Sequence, residues 1–205
     1  MTIRLAGLAL FSLWLAVGLW LDYYRGRSIP LAFLLVGILL ALITRWLGWQ
    51  DPWGALLMLL WITATYGRAW TAVALISSAA WMMAHPDSPF RWVLPIAFFL
   101  TCVLWAVRTL GNADYIAAVL LLGLAGDDRM PLLLAAGTIV WSLVLILRRH
   151  GLRGSLGRIR EVAARLRQNL RAGDQDPGGI RSPWFLVPAL AGWVYFWIWP
   201  GEGLL

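Results

Sequence analysis

Asp22 and Asp114 are the residues of this chain whose type and placement could do chemistry. Asp22 closes the first apolar run. Asp114 ends the stretch Gly111-Asn112-Ala113-Asp114, which lies between the apolar runs Trp92–Val107 and Tyr115–Gly126. A carboxylate at the centre of a bilayer costs about 3 kcal/mol or more, so an acid at the edge of a membrane-length apolar segment is a candidate for function. The expected compensation is a second titratable group nearby, and Asp22 is the matching partner. Two carboxylates within a few ångströms cannot easily both ionise, and the pair then holds one proton. Such a pair can polarise a water, take its proton and donate another to a carbonyl oxygen. That hydrolyses a peptide bond without metal or covalent intermediate. Titration would belong to the pair rather than to a fixed acid and base. The small residues Gly111 and Ala113 are expected to let an extended substrate backbone approach Asp114.

Other chemistries are poorly served. The chain has no G-x-S-x-G, no H-E-x-x-H and no G-x-x-x-x-G-K. Its single cysteine, Cys102, lies inside an apolar run and can form neither an internal disulfide nor a Cys/His zinc site. His85 and His150 stand at distant segment ends, so neither a metal nor another cofactor is expected. A plainer reading of the aspartates also stands. Both could be interfacial residues at helix ends, where a charge reaches headgroup water, and an acid at a helix N-terminus is favourable in any case.

The elements that must position these residues are apolar helices. Of the 205 residues, 61% are hydrophobic, against about 45–50% in a typical soluble domain. Seventeen Arg and no Lys against ten acids give a net charge of +7. In a membrane protein Arg marks the cytoplasmic side, and the excess reads as orientation plus attraction to anionic lipid rather than as nucleic-acid binding. The expected class is all-α: one integral membrane domain over residues 1–205, a polytopic helical bundle of about eight spans.

Ile3–Leu21 is the first span, retained rather than cleaved as a signal. Arg25 and Arg27 place the following turn in the cytoplasm, and Pro30 suits the first turn of a second span, Pro30–Trp46. Trp53–Ala84 is apolar apart from Gly67-Arg68. A single helix of that length would run ~48 Å, too long without a large tilt, and two short spans are the alternative. With two, Asp22 and Asp114 fall on the same side; with one, on opposite sides. Trp92–Val107, Asp114–Gly126 and Leu132–Leu147 continue the path. The segment 148–181, with nine Arg against Glu161, Asp174 and Asp176, should be cytoplasmic, and Trp184–Trp199 is the last span. Within the basic segment Leu152, Leu156, Ile159, Ala163, Leu166 and Leu170 share one helical face. That is an amphipathic helix on the inner leaflet or, alternatively, a cap over the site. Many of the fifteen Trp, such as Trp46, Trp53 and Trp197, fall near span ends, as in an aromatic belt.

Three stretches carry a family resemblance. Leu21-Asp22-Tyr23-Tyr24-Arg25-Gly26-Arg27-Ser28-Ile29-Pro30 resembles the D-x-x-x-x-x-I-P stretch of type IV prepilin and archaeal preflagellin peptidases. Gly111-Asn112-Ala113-Asp114 is similar to their GxGD motif, whose second glycine can be alanine. Arg181-Ser182-Pro183-Trp184-Phe185-Leu186-Val187-Pro188-Ala189-Leu190-Ala191-Gly192 resembles the Pro-Phe-x-x-Pro…Gly stretch of the archaeal type's last span. The resemblance implies a multi-pass aspartic endopeptidase of the cell membrane with its active site facing the cytoplasm. It would cut the basic leader from pilin-like precursors just before their hydrophobic helix. Asp22 and Asp114 would be the catalytic pair, with Gly111, Asn112, Ala113, Arg25, Ile29 and Pro30 as motif and substrate-binding residues. The family core has six spans, so the eight counted here would include an extra pair within Trp53–Ala84. Ile116 stands where the family often has Lys, and Asn112 replaces a frequent Gly. No CxxC domain is present, so no methyltransferase activity is implied. Two other readings remain open: a membrane scaffold of the same fold without catalysis, and a small transporter using both aspartates as a proton or cation site.

Overall fold

The computed structural model describes residues 2–25, 29–48, 52–84, 93–106, 111–125, 129–141, 143, 144, 147 and 185–198. Among these residues every regular element is helical and there is no strand. Eight α-helices follow the apolar segments: α1 (Thr2–Trp20), α2 (Leu31–Ile43), α3 (Pro52–Thr63), α4 (Arg68–Ala84), α5 (Val93–Ala106), α6 (Asn112–Ala125), α7 (Arg129–Trp141) and α8 (Leu186–Trp193). Three end in wider π-helical turns, Leu21–Arg25 after α1, Thr44–Gly48 after α2 and Val194–Ile198 after α8. Two helices are long and apolar enough to cross a membrane, Arg4–Tyr23 with 20 residues and Leu31–Gly48 with 18. The apolar helices Pro52–Tyr66, Val93–Ala106, Asn112–Ala125, Arg129–Trp141 and Leu186–Ile198 are shorter. The amphipathic helix expected within 148–181 lies outside the described residues, as do Arg27 and the turns at 85–92 and 126–128.

The long apolar stretch is two helices rather than one. α3 tightens into a 3-10 turn at Ala64–Tyr66, and the chain reverses at Gly67, whose φ of 152° and ψ of 171° suit only glycine. The returning α4 is tied to α3 by Trp61 and to the 3-10 turn by Thr71, in an apolar setting that strengthens such bonds. Trp61 Nε1 donates to Ser78 Oγ at 2.9 Å, Ser78 Oγ donates to Ala74 O at 2.8 Å, and Thr71 Oγ1 donates to Ala64 O at 3.2 Å.

The centre of the bundle is α6. Tyr115 and every residue from Ala117 to Leu124 are buried, enclosed by α2, α3, α5 and α8. A helix apolar on all sides has no stripe to turn inward, so its position at the core follows from being surrounded. The outer helices carry large apolar side chains on their free faces, including Leu39 at 58% exposure and Ile76 at 70%. An apolar exterior of this extent is a surface made to be covered. At the end opposite the aspartates, Arg4 Nε donates to Gly48 O at 2.5 Å and Tyr195 Oη to Ala125 O at 3.4 Å, tying α1 to α2 and α8 to α6.

Candidate active site

Asp22 sits in the π-helical turn that prolongs α1, a geometry that recurs at functional sites. The half-buried carboxylate accepts the main-chain N–H of Phe185 at 3.2 Å through Oδ2. Phe185 is the N-cap residue of α8. Its ring is fully buried and packs edge-on to Trp14, with centroids 5.8 Å apart at 68°. Gly18 gives the ring room, because a Cβ there would strike it. Trp14 in turn stacks on Phe33 at 5.0 Å and 9°, and its Nε1 donates to Phe33 O at 2.9 Å. One indole thus fixes the relative placement of α1, α2 and the start of α8.

Asp114 is in the first turn of α6. Its Oδ2 accepts the N–H of Gly111 at 3.2 Å, while Gly111 O accepts the N–H of Tyr115 at 3.0 Å. An acid reaching back three residues to the start of its helix is one half of a capping box. Asn112 Oδ1 accepts Trp105 Nε1 at 2.7 Å, which joins the end of α5 to the start of α6. The buried Tyr115 donates its hydroxyl to Trp61 O at 2.6 Å and lies in hydrogen-bonding contact with Cys102. The turn that carries Asp114 is therefore anchored to α3 and α5 before the carboxylate itself is considered.

The two carboxylates lie at the same end of the bundle: Asp22 accepts the Phe185 N–H, and Asp114 lines a groove with Val187 and Pro188, two and three residues on. The distribution of contacts is symmetrical. Each has Oδ2 on a main-chain N–H at a helix start. Asp114 also lines an apolar groove of about 310 Å³, whose walls include Leu104, Ala118, Leu122, Pro131, Val187 and Pro188. The arrangement sets Asp114 beside a groove that accepts apolar groups, with Asp22 at the same end of the bundle.

The remaining motif residues are placed less uniformly. Gly111 and Asn112 are exposed beside Asp114, but Ala113 packs against the core, because the helix turns that face inward. A Cβ at Gly111 would meet Asp114 Oδ2 at 3.0 Å, so glycine there leaves room for the carboxylate. Pro30 lies one position ahead of the expected first turn: it is the N-cap of α2, and its carbonyl accepts Phe33 N at 3.0 Å and Leu34 N at 3.2 Å. Ile29 and Ile116 are half-buried against the core. Arg25 closes the π-helical turn, and its side chain lies outside the described residues.

Sequence reasoning missed Trp14, Trp105 and Tyr115, and missed Phe185 as a partner of Asp22. The signal for Trp14 was present: an indole deep in an apolar run must find an acceptor for its N–H. Among the described residues, no group of three or more His, Cys, Asp or Glu comes together to hold a metal. Compared with known proteins, the chain matches no protein-family model, no curated protein and no solved structure.

Proposed function

We propose that the chain is a multi-pass membrane aspartic endopeptidase, with Asp22 and Asp114 as its catalytic pair. It removes the basic leader of type IV pilin-like (prepilin or preflagellin) precursors at the cytoplasmic face of the cell membrane. The observation that carries this reading is the placement of two acids at the same end of the bundle, one in the turn after α1 and one in the first turn of α6, each with one oxygen on a main-chain N–H. Two apolar helices of membrane length and the apolar outer faces of the others support the membrane setting. The Arg-rich turn after α1 and the Arg-rich segment 148–181 support a cytoplasmic site.

In this mechanism the pair shares one proton. The ionised member takes a proton from a water held between them as that water attacks the scissile carbonyl carbon. The protonated member gives its proton to the carbonyl oxygen, and collapse of the tetrahedral diol releases the amine. Fixing Oδ2 of each acid keeps the other oxygens free for the water and the substrate, so little reorganisation accompanies the reaction.

The test is cleavage of purified pilin-like precursors by the protein in liposomes, read as a mass loss equal to the leader. Cleavage on the N-terminal side of the precursor's hydrophobic helix supports the assignment. Intact precursor across several such substrates, with protein that remains folded, removes it and leaves the scaffold reading.

A further inference from the structure

We propose that the start of α8 is a working part of the site, with Phe185 as the positioning residue whose main-chain N–H sets the orientation of the Asp22 carboxylate. The inference rests on the peptidase reading for its kinetic consequence, though not for its structural one. Asp22 lies in the π-helical turn that follows α1. The contact that holds it comes from 163 residues further along the chain, Phe185 N to Asp22 Oδ2 at 3.2 Å. Asp114, by contrast, is oriented locally by Gly111, three residues away. The pair therefore has one carboxylate fixed by its own helix and one that depends on the docking of a separate helix.

That docking is specified by side-chain packing. The Phe185 ring is completely buried between Trp14 and the gap left by Gly18. Trp193 Nε1 donates to Ser12 O at 3.2 Å, and Trp197 Nε1 to Ser12 Oγ at 3.0 Å, securing the far end of α8 on α1. Two anchors on one helix pair leave little freedom to slide, so the N–H is delivered to Oδ2 in a fixed register. An N–H that satisfies one carboxylate oxygen also decides which oxygen remains for water. This is orientation, and misplacement by about 1 Å costs on the order of 100-fold in rate. Val187 and Pro188, two and three residues on, line the apolar groove beside Asp114, so the same helix start borders both acids.

The direct test replaces the Trp184–Phe185 amide with an ester, by incorporating phenyllactic acid at position 185. The ring stays and only the N–H is lost. Phe185→Ala is the converse variant, keeping the N–H and losing the ring. Two readouts are taken in liposomes: precursor-cleavage kinetics, and the isotope-edited infrared band of the Asp22 carboxylate, assigned by its absence in Asp22→Asn. The ester variant is expected to lower kcat roughly tenfold or more with KM within twofold, and to move the Asp22 band. An unmoved band and unchanged kcat in the ester variant overturn the proposal, as does a loss that appears in KM alone. If the band moves while unmodified protein cleaves no precursor, the positioning contact stands and the peptidase reading fails. If unmodified protein cleaves but the band and kcat ignore the ester, the peptidase stands and the positioning role fails.

Discussion

At the scale of residues, each carboxylate is held in place by a main-chain N–H at the same end of the bundle. Asp22→Asn and Asp114→Asn keep size and leave an oxygen for the Phe185 and Gly111 N–H groups. Each is expected to fold, to retain helical circular dichroism, and to lose about 10²–10⁴-fold in precursor cleavage. Asn112 has a different task. Its Oδ1 receives Trp105 Nε1 at an exposed site, so Asn112→Ala is expected to cost about 1 kcal/mol of stability, read as a lowered Tm in detergent. Both aspartates could be singled out from sequence by their matching positions at apolar-run ends and by the stretches that hold them, Gly111-Asn112-Ala113-Asp114 and Asp22 through Ile29-Pro30. Their supports could not be. Nothing in the order of residues links Asp22 to Phe185, since the link is made by packing across 163 positions. Ala113 shows the same limit, for only the rotation of α6 decides that it faces the core while Gly111 faces out.

At the scale of elements, two glycines carry distinct burdens. Gly67 makes the reversal between α3 and α4 with nothing within 4 Å of a hypothetical Cβ, so a substitution there meets backbone strain alone. Gly67→Val is expected to destabilise by about 1–3 kcal/mol, measured by thermal unfolding. Gly18 instead makes room for a neighbour. Gly18→Leu pushes the Phe185 ring off α1 and, through the N–H it carries, disturbs Asp22. Cleavage should fall about tenfold or more while helical content is preserved; near-normal cleavage would show that α8 docking does not matter to Asp22. The break at Gly67-Arg68 was legible because glycine interrupts an otherwise unbroken apolar run. The π-helical turns were not, since they depend on how the ends of α1, α2 and α8 settle against neighbours.

At the scale of the whole molecule, the path of the chain decides whether the aspartates can meet. A helical pair at α3 and α4 brings the starts of α6 and α8 to the end of α1, and the described residues have this arrangement. On the proposed reading, the Arg distribution orients that end toward the cytoplasm. In a Cys102→Ala background, Met83→Cys, 76% exposed at the far end of α4, is expected to react with a membrane-impermeant thiol reagent added outside cells. Pro30→Cys, exposed beside the Asp22 end, is expected to react only after the membrane is opened. The reverse pattern would invert the topology and move the site to the wrong face.

Whether Asp22 and Asp114 act as one unit is decided by a double-mutant cycle on precursor cleavage. Rates are compared for the unmodified protein, Asp22→Asn, Asp114→Asn and the doubly substituted chain. Groups that work as a unit are strongly non-additive. Each single substitution should therefore remove about 10²–10⁴-fold, and the double substitution should remove little more than either alone. Cleavage that survives one of the single substitutions, or losses that multiply in the double variant, would contradict the account.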